Sequence, residues 1–203
     1  MLILPNTIPD AKQSADDTPV ALLGPVVTAS FSDSFYVENA DRTSGILVVS
    51  DAMPAEDSMV VVHGVMGTVY EERCITASSV EVLGETDPID PLCTSLRSIG
   101  GGDFGTPPLG QKGITGGYGL NNMGLLMRTS GEVDYVHATL PWFVITDGTH
   151  RTHCTPPAGT QLPALGDFCV VTGVSCMGYV TPDNLQRCLI PRRDSDIQVL
   201  QVP

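Results

Sequence analysis

The densest group of metal-ligand residue types in the chain is His150-Arg-Thr-His153-Cys154, where two imidazoles and a thiol, all suited to zinc, fall within one short stretch. A fourth ligand is missing. The stretch lies between Asp147-Gly148 and Thr155-Pro-Pro, so it reads as a strand between two turns, with its histidines on opposite faces. No metal site and no cofactor is expected, and the histidines read as exposed side chains beside a cysteine bonded elsewhere. His63 and His137 stand alone in strand-like segments and read as ordinary strand residues.

Other candidate chemistry fails on its own terms. Gly105-Thr-Pro-Pro-Leu-Gly110-Gln-Lys112 has the outline of a phosphate loop, but Gln111 displaces the lysine and no Ser or Thr follows it. No nucleophile elbow occurs, and Ser, His and Asp form no recognisable catalytic order, so no catalytic residue is expected and the protein reads as a non-enzyme. The acidic groups Asp16-Asp17, Glu71-Glu72 and Asp194-Ser-Asp196 lie in or beside turns and read as solvated surface. Among the aromatics, Phe35/Tyr36 and Trp142/Phe143 are neighbours in strands, so one of each pair enters a core. That leaves Tyr36, Trp142 and, in a glycine-rich stretch, Tyr118 as candidate platforms on which a ligand ring could stack.

Charge narrows the partners. Ten Lys and Arg face 23 Asp and Glu, a formal charge of -13 that repels phosphate backbones and anionic membranes. No cation interleaves with the strand aromatics; Glu38 and Asp147 follow them instead. Single-stranded nucleic acid is therefore the weakest of the binding functions weighed. The segment MLILPNT has neither a basic n-region nor an apolar run long enough for a membrane span. The run Leu2, Ile3, Leu4 is too short to build a core, so it either packs at home or adds to a neighbour's sheet edge.

The elements that position these residues are strands. Val20–Thr28, Phe35–Glu38, Gly45–Val49, Met59–Gly67 and Cys74–Leu83 are separated by short turn-forming clusters. The order repeats as Leu125–Val136, Trp142–Thr146, Thr152–Cys154, Phe168–Cys176 and Cys188–Leu200. Val60-Val-Val-His-Gly64-Val matches Cys169-Val-Val-Thr-Gly173-Val, and without a gap Phe35-Tyr-Val falls on Trp142-Phe-Val. A fixed order of matched segments marks an internal duplication. Between the copies, ten glycines fall from Gly100 to Gly124, too many for a helix or regular strand. Phe104, Ile114, Tyr118 and Met123 supply the apolar anchors expected of an ordered connector.

At TPVALLGPVVTASFSDSFYVE, SGILVV, VVVHGVMG and ITASSVEVL, and again at WFVITDG, GDFCVVTGVS and DNLQRCLIPRRDSDIQVL, the chain resembles tandem OB-fold proteins found among secreted bacterial proteins. The connector GGGDFGTPPLGQKGITGGYGLNNMGLLMRTSGEV is the most specific part of the likeness. The resemblance implies an all-β chain of two five-stranded Greek-key barrels in tandem. The expected division is an N-terminal segment 1–19, a first barrel 20–97, a connector 98–124 and a second barrel 125–203. Related tandem OB proteins are subunits of extracellular filaments. The function implied is a non-catalytic structural subunit of an extracellular or cell-surface assembly, with copies of itself as partners and Leu2, Ile3 and Leu4 as assembly residues. The alternative is a secreted carbohydrate-binding module. Six cysteines form an even set without a CxxC pair, which reads as disulfides in an oxidising compartment. Proximity in such barrels pairs Cys176 with Cys188, Cys154 with Cys169, and Cys74 with Cys93.

Overall fold

The computed structural model describes residues 6–181 and 184–200. Leu2, Ile3 and Leu4 lie outside them. The chain enters at Asn6, whose amide donates to Ala21 O at 2.6 Å and which bridges Leu22 in parallel. Helix α1 (Ile8–Lys12) follows, with the Thr7 side chain accepting from the Asp10 amide at 3.2 Å. Pro9 sits in its first turn, where a missing N–H is no loss.

β1 (Pro19–Ser30), β2 (Ser34–Glu38), β3 (Gly45–Val49), β4 (Ser58–Val69) and β5 (Glu72–Glu85) close a barrel in the order β1-β2-β3-β5-β4. Only the β3–β5 pair is parallel. That order is the five-stranded OB arrangement. The period-two pattern explains the interior: Val60, Val62 and Met66 of β4 are buried while His63 and Val65 between them are exposed. Phe35, Val37, Ile46, Val48 and Ile75 complete the core, and Ile8 and Ala11 of α1 pack into it.

β6 (Leu92–Cys93) comes next, then β7 (Phe104–Thr106) and β8 (Leu109–Gln111), which form a small hairpin in the connector. The connector is ordered and touches both barrels. Gln111 is fully buried; its Oε1 accepts from the Arg73 amide at 2.8 Å, and its Nε2 donates to Glu71 O at 3.0 Å. On the other side, Ile114 and Met123 pack with Met177 and Leu185. Gly124, at φ +88°, lies so close to Gly45 that a Cβ on Gly45 would meet its carbonyl oxygen at 2.2 Å.

β9 (Leu126–Val136), β10 (Phe143–Thr146), β11 (Arg151–Cys154), β12 (Phe168–Thr181) and β13 (Asn184–Ile190) repeat the first barrel's order, closed by β12 pairing back on β9. The segment expected as one strand over Cys188–Leu200 is two. Pro191, which has no N–H for the ladder, ends β13, and β14 (Ile197–Leu200) resumes on β12 opposite Phe168–Val171. Residues 92–97, which the sequence groups with the first barrel, are built into the second, together with Ile99 of the connector: β6 pairs in parallel with β9, and Leu96 and Ile99 enter the second core.

The duplication holds in register. Gly64 opposes Val20 in one barrel and Gly173 opposes Met127 in the other. A Cβ on either would strike the backbone of the last barrel strand, at Thr76 O (2.2 Å) or Ile190 (2.8 Å). The gapless match of Phe35 with Trp142 is one residue out. Phe35 faces Val48 as Phe143 faces Cys154, and both phenylalanines are fully buried. The Val136–Phe143 turn is longer than the Ser30–Phe35 turn, which an ungapped comparison cannot register.

All six cysteines are free thiols. The expected Cys74–Cys93 and Cys154–Cys169 bridges do not form. Cys74 packs between the barrels while Cys93 is exposed on β6, and Cys154 and Cys169 pack as apolar side chains in the second core. Cys176 and Cys188, unbonded as well, do stand opposite each other on β12 and β13.

Candidate functional site: the cleft between the barrels

The outer face of β2–β3 in an OB barrel is the customary ligand surface. In the first barrel that face carries Tyr36 and Leu47, because Phe35, Val37, Ile46 and Val48 point inward. It is turned toward the second barrel. Ala29, Tyr36, Leu47 and Cys74 pack there with Leu126 and Val174. In the second barrel the matching face, on β10–β11, carries Val144 and His153, flanked by Tyr135 of β9. The two equivalent faces thus converge, and the space left between them is a cleft of about 730 Å³.

From the first barrel the cleft takes Tyr36, Leu47, Val69, Tyr70 and Glu72. The second gives it Trp142, His153, Thr155, Gln186, Cys176 and Cys188, with Met177 and Gly178. Trp142 is held by its neighbours: it stacks with Tyr135 (5.0 Å, 28°) and with His153 (5.5 Å, 28°), and His137 tilts against it at 4.9 Å. Burial lowers the pKa of His153, so its imidazole favours the neutral form.

Glu72 is the most unusual wall residue. It is only 5% exposed. Its Oε2 accepts from the Tyr36 hydroxyl and from the Met177 amide, both at 3.4 Å, whereas Oε1 has no partner. Burial raises its pKa to about 7, although the nearby Lys12 ammonium opposes the rise. Lys12, itself buried with Nζ donating to Met123 O at 2.9 Å, is drawn down to about 8 by the same loss of solvent. Oε1 is itself buried, so the unpaired oxygen lies behind the cleft surface and adds to the cost of ionising this carboxyl. Among the described residues lining the cleft there is no Lys or Arg.

Two of the three expected stacking residues, Tyr36 and Trp142, are brought together here from opposite barrels. Tyr118 is not in the cleft; it is exposed on the connector, where the Arg97 guanidinium lies 3.7 Å from its ring centre. The His150–Cys154 group disperses: His150 pairs with Asp147 at 3.3 Å, His153 faces the cleft, and Cys154 lies in the core. No group of three or more candidate metal ligands occurs among the described residues. Glu72 and Asp196, which read as solvated acids in the sequence, are both buried. Sequence reasoning misses Glu72 and Gln186 as wall residues. The one available signal is alternation, which puts Glu72 on the same face of β5 as Cys74.

No protein-family model matches the chain, and no curated protein does. Among solved structures, a murine DNA-binding protein bound with double-stranded DNA is 11% identical, with a TM-score of 0.43, covering 91% of this chain and 97% of that one. Tetrameric p202 HIN2 is 11% identical (TM-score 0.39; 98% and 100% covered). The hypothetical protein ygiW from E. coli is 21% identical (TM-score 0.34), covering 39% of this chain and 90% of its own. Likenesses this distant carry no argument about function, and the OB assignment rests on the strand order of the two barrels.

Proposed function

We propose that the protein is a non-catalytic binding module that takes a small, uncharged, hydroxyl-bearing ring compound, a carbohydrate, in the cleft between its barrels. The observation that carries this reading is the half-buried Trp142 ring held on the cleft wall by Tyr135 and His153, beside the polar side chains of Gln186 and Thr155. Trp142 would cover the apolar face of a sugar ring, the edge of the buried Tyr36 would border it, and Gln186, Thr155 and His153 offer polar contacts to its hydroxyls. The volume falls within the few hundred to about 1,000 Å³ usual for small-molecule sites. Without a cation among the described wall residues, a phosphodiester has nothing to pair with, so nucleic acid is disfavoured. A glycan array, followed by calorimetry on any hit, tests the reading. Saturable binding that Trp142→Ala and Gln186→Ala each weaken at least tenfold supports it; no saturable binding to any glycan overturns it.

A second reading, a structural subunit of an extracellular filament, is favoured by the way the chain enters. Asn6 docks in parallel on the flank of β1, beside Leu23, which is 62% exposed. An added strand from another copy would find apolar surface there. Electron microscopy at rising concentration decides it: filaments that disappear on deleting residues 1–5 support the reading, and persistent monomers overturn it.

A further inference from the structure

We propose that Cys176 and Cys188 form a reversible dithiol–disulfide site in the wall of the cleft. The two are register partners on β12 and β13. Directly opposed residues of an antiparallel pair have Cα atoms about 4.5–5.5 Å apart, within the span a disulfide bridges. Both residues are buried to the same degree, 4% exposed, yet both line the cleft, so a small oxidant reaches them while a protein thiol does not. The Thr155 hydroxyl lies 3.5 Å from Cys188 Sγ. Hydrogen bonds from Cys176 and Thr155 lower the pKa of Cys188, which marks it as the sulfur that reacts first.

With hydrogen peroxide as oxidant the chemistry balances in two steps. The Cys188 thiolate attacks one peroxide oxygen, the O–O bond breaks, and the sulfur becomes a sulfenic acid as the released hydroxide takes up the thiol proton to give water. Cys176 sulfur then attacks Cys188 sulfur, the S–O bond breaks, and the Cys176 proton leaves with the hydroxyl as a second water. Two thiols and one peroxide give one disulfide and two waters. The other buried cysteines have no such arrangement: Cys154 and Cys169 lie in the core, and Cys74 packs between the barrels.

The test uses the full chain carrying Cys93→Ser, which removes the exposed thiol that could link copies. Thiols are counted under denaturing conditions before and after peroxide, and the linked peptides are mapped by mass spectrometry. The expected result is a loss of two thiols, a Cys176–Cys188 peptide pair, full recovery with dithiothreitol, and a Tm about 5 °C higher in the oxidised form. Retention of all the thiols, or a bridge that joins another pair such as Cys154–Cys188, overturns the proposal. Because mapping is done on a chain with both cysteines present, the result does not depend on whether Cys176→Ser or Cys188→Ser folds.

Discussion

The Met177 amide, on the second barrel, donates to Glu72 Oε2, on the first, at 3.4 Å. A second bond of the same kind also crosses the interface: the Leu126 amide donates to Glu38 Oε1 at 3.3 Å. Both carboxyls are buried, and burial raises both pKa values to about 7. The contact between the barrels is therefore coupled to protons.

The sign of that coupling follows from the shifts. A carboxyl whose pKa rises from 4.5 to about 7 on folding binds a proton more tightly in the native state. Its stability contribution is complete below pH 4.5 and is lost as the pH rises through 7, by roughly 3 kcal/mol for each such group. Lys12, lowered to about 8, acts mainly above that window. Glu72→Gln should remove about half of the carboxyl-driven fall in stability between about pH 5 and pH 8, Glu38 supplying the other half and the lowered pKa of His153 opposing both. Chemical denaturation at the two pH values measures it, and an unchanged difference would refute the assignment.

The Gly45–Gly124 contact joins the first barrel to the connector through backbone alone. Gly45→Ala would place a Cβ 2.2 Å from Gly124 O, with no flexible side chain able to give way. A loss of about 3 kcal/mol or more is expected. Gly148→Ala is the control: its φ of +86° is strained for alanine, but nothing lies within 4 Å, so about 1 kcal/mol is expected. Equal losses in thermal melts would show that conformation, and not the close approach, sets the cost at Gly45.

The strands and their inward faces are legible in the sequence because alternation is a local property, whereas their order in each barrel is what the resemblance to OB-fold proteins implies. The valines of β4 declare their inward face whatever lies around them. The cleft is not legible, since it needs Tyr36, Glu72, Trp142 and Cys188 at once, and those meet only through the packing of one barrel on the other. Glu72 escapes for the same reason: beside Glu71 at a turn it has the pattern of solvated surface, yet it is buried where the barrels meet, between Tyr36 and the Met177 amide. Pro191, by contrast, carries a usable signal for ending β13 that the apolar run before it obscures.

Arg192 ties the interface at a separate point, outside the cleft. It bonds Asp196 through two nitrogens (2.8 and 3.0 Å), Glu56 at 2.9 Å and the Thr28 carbonyl at 3.1 Å. Asp196 and Glu56 are largely buried; removing the guanidinium leaves the Asp196 charge unmatched, while Glu56 keeps its ion pair with Arg193. Arg192→Met should cost about 3 kcal/mol, and raising the salt concentration should narrow the gap to wild type. A denaturant midpoint unmoved by the substitution would show that the network contributes nothing net.

Asn122 holds the two ends of the connector together. Its Oδ1 accepts from the Gly100 amide and from the Ser175 hydroxyl, each at 2.8 Å, and its Nδ2 donates to Ser98 O at 2.6 Å. The loop between these points is held to the first barrel by Gln111 and to the second by Ile114 and Met123 packed against Met177 and Leu185, and Asn122 closes its two ends. Asn122→Ala strands the Gly100 amide and the Ser98 carbonyl, at a cost of about 2 kcal/mol. The loss should be local, opening the connector before either barrel unfolds. Limited proteolysis of the native protein reads this directly: cleavage within residues 100–119 should be slow in wild type and at least tenfold faster in Asn122→Ala, with both barrels recovered intact. Rapid cleavage there in the wild-type protein would mean that the connector does not fix the two barrels.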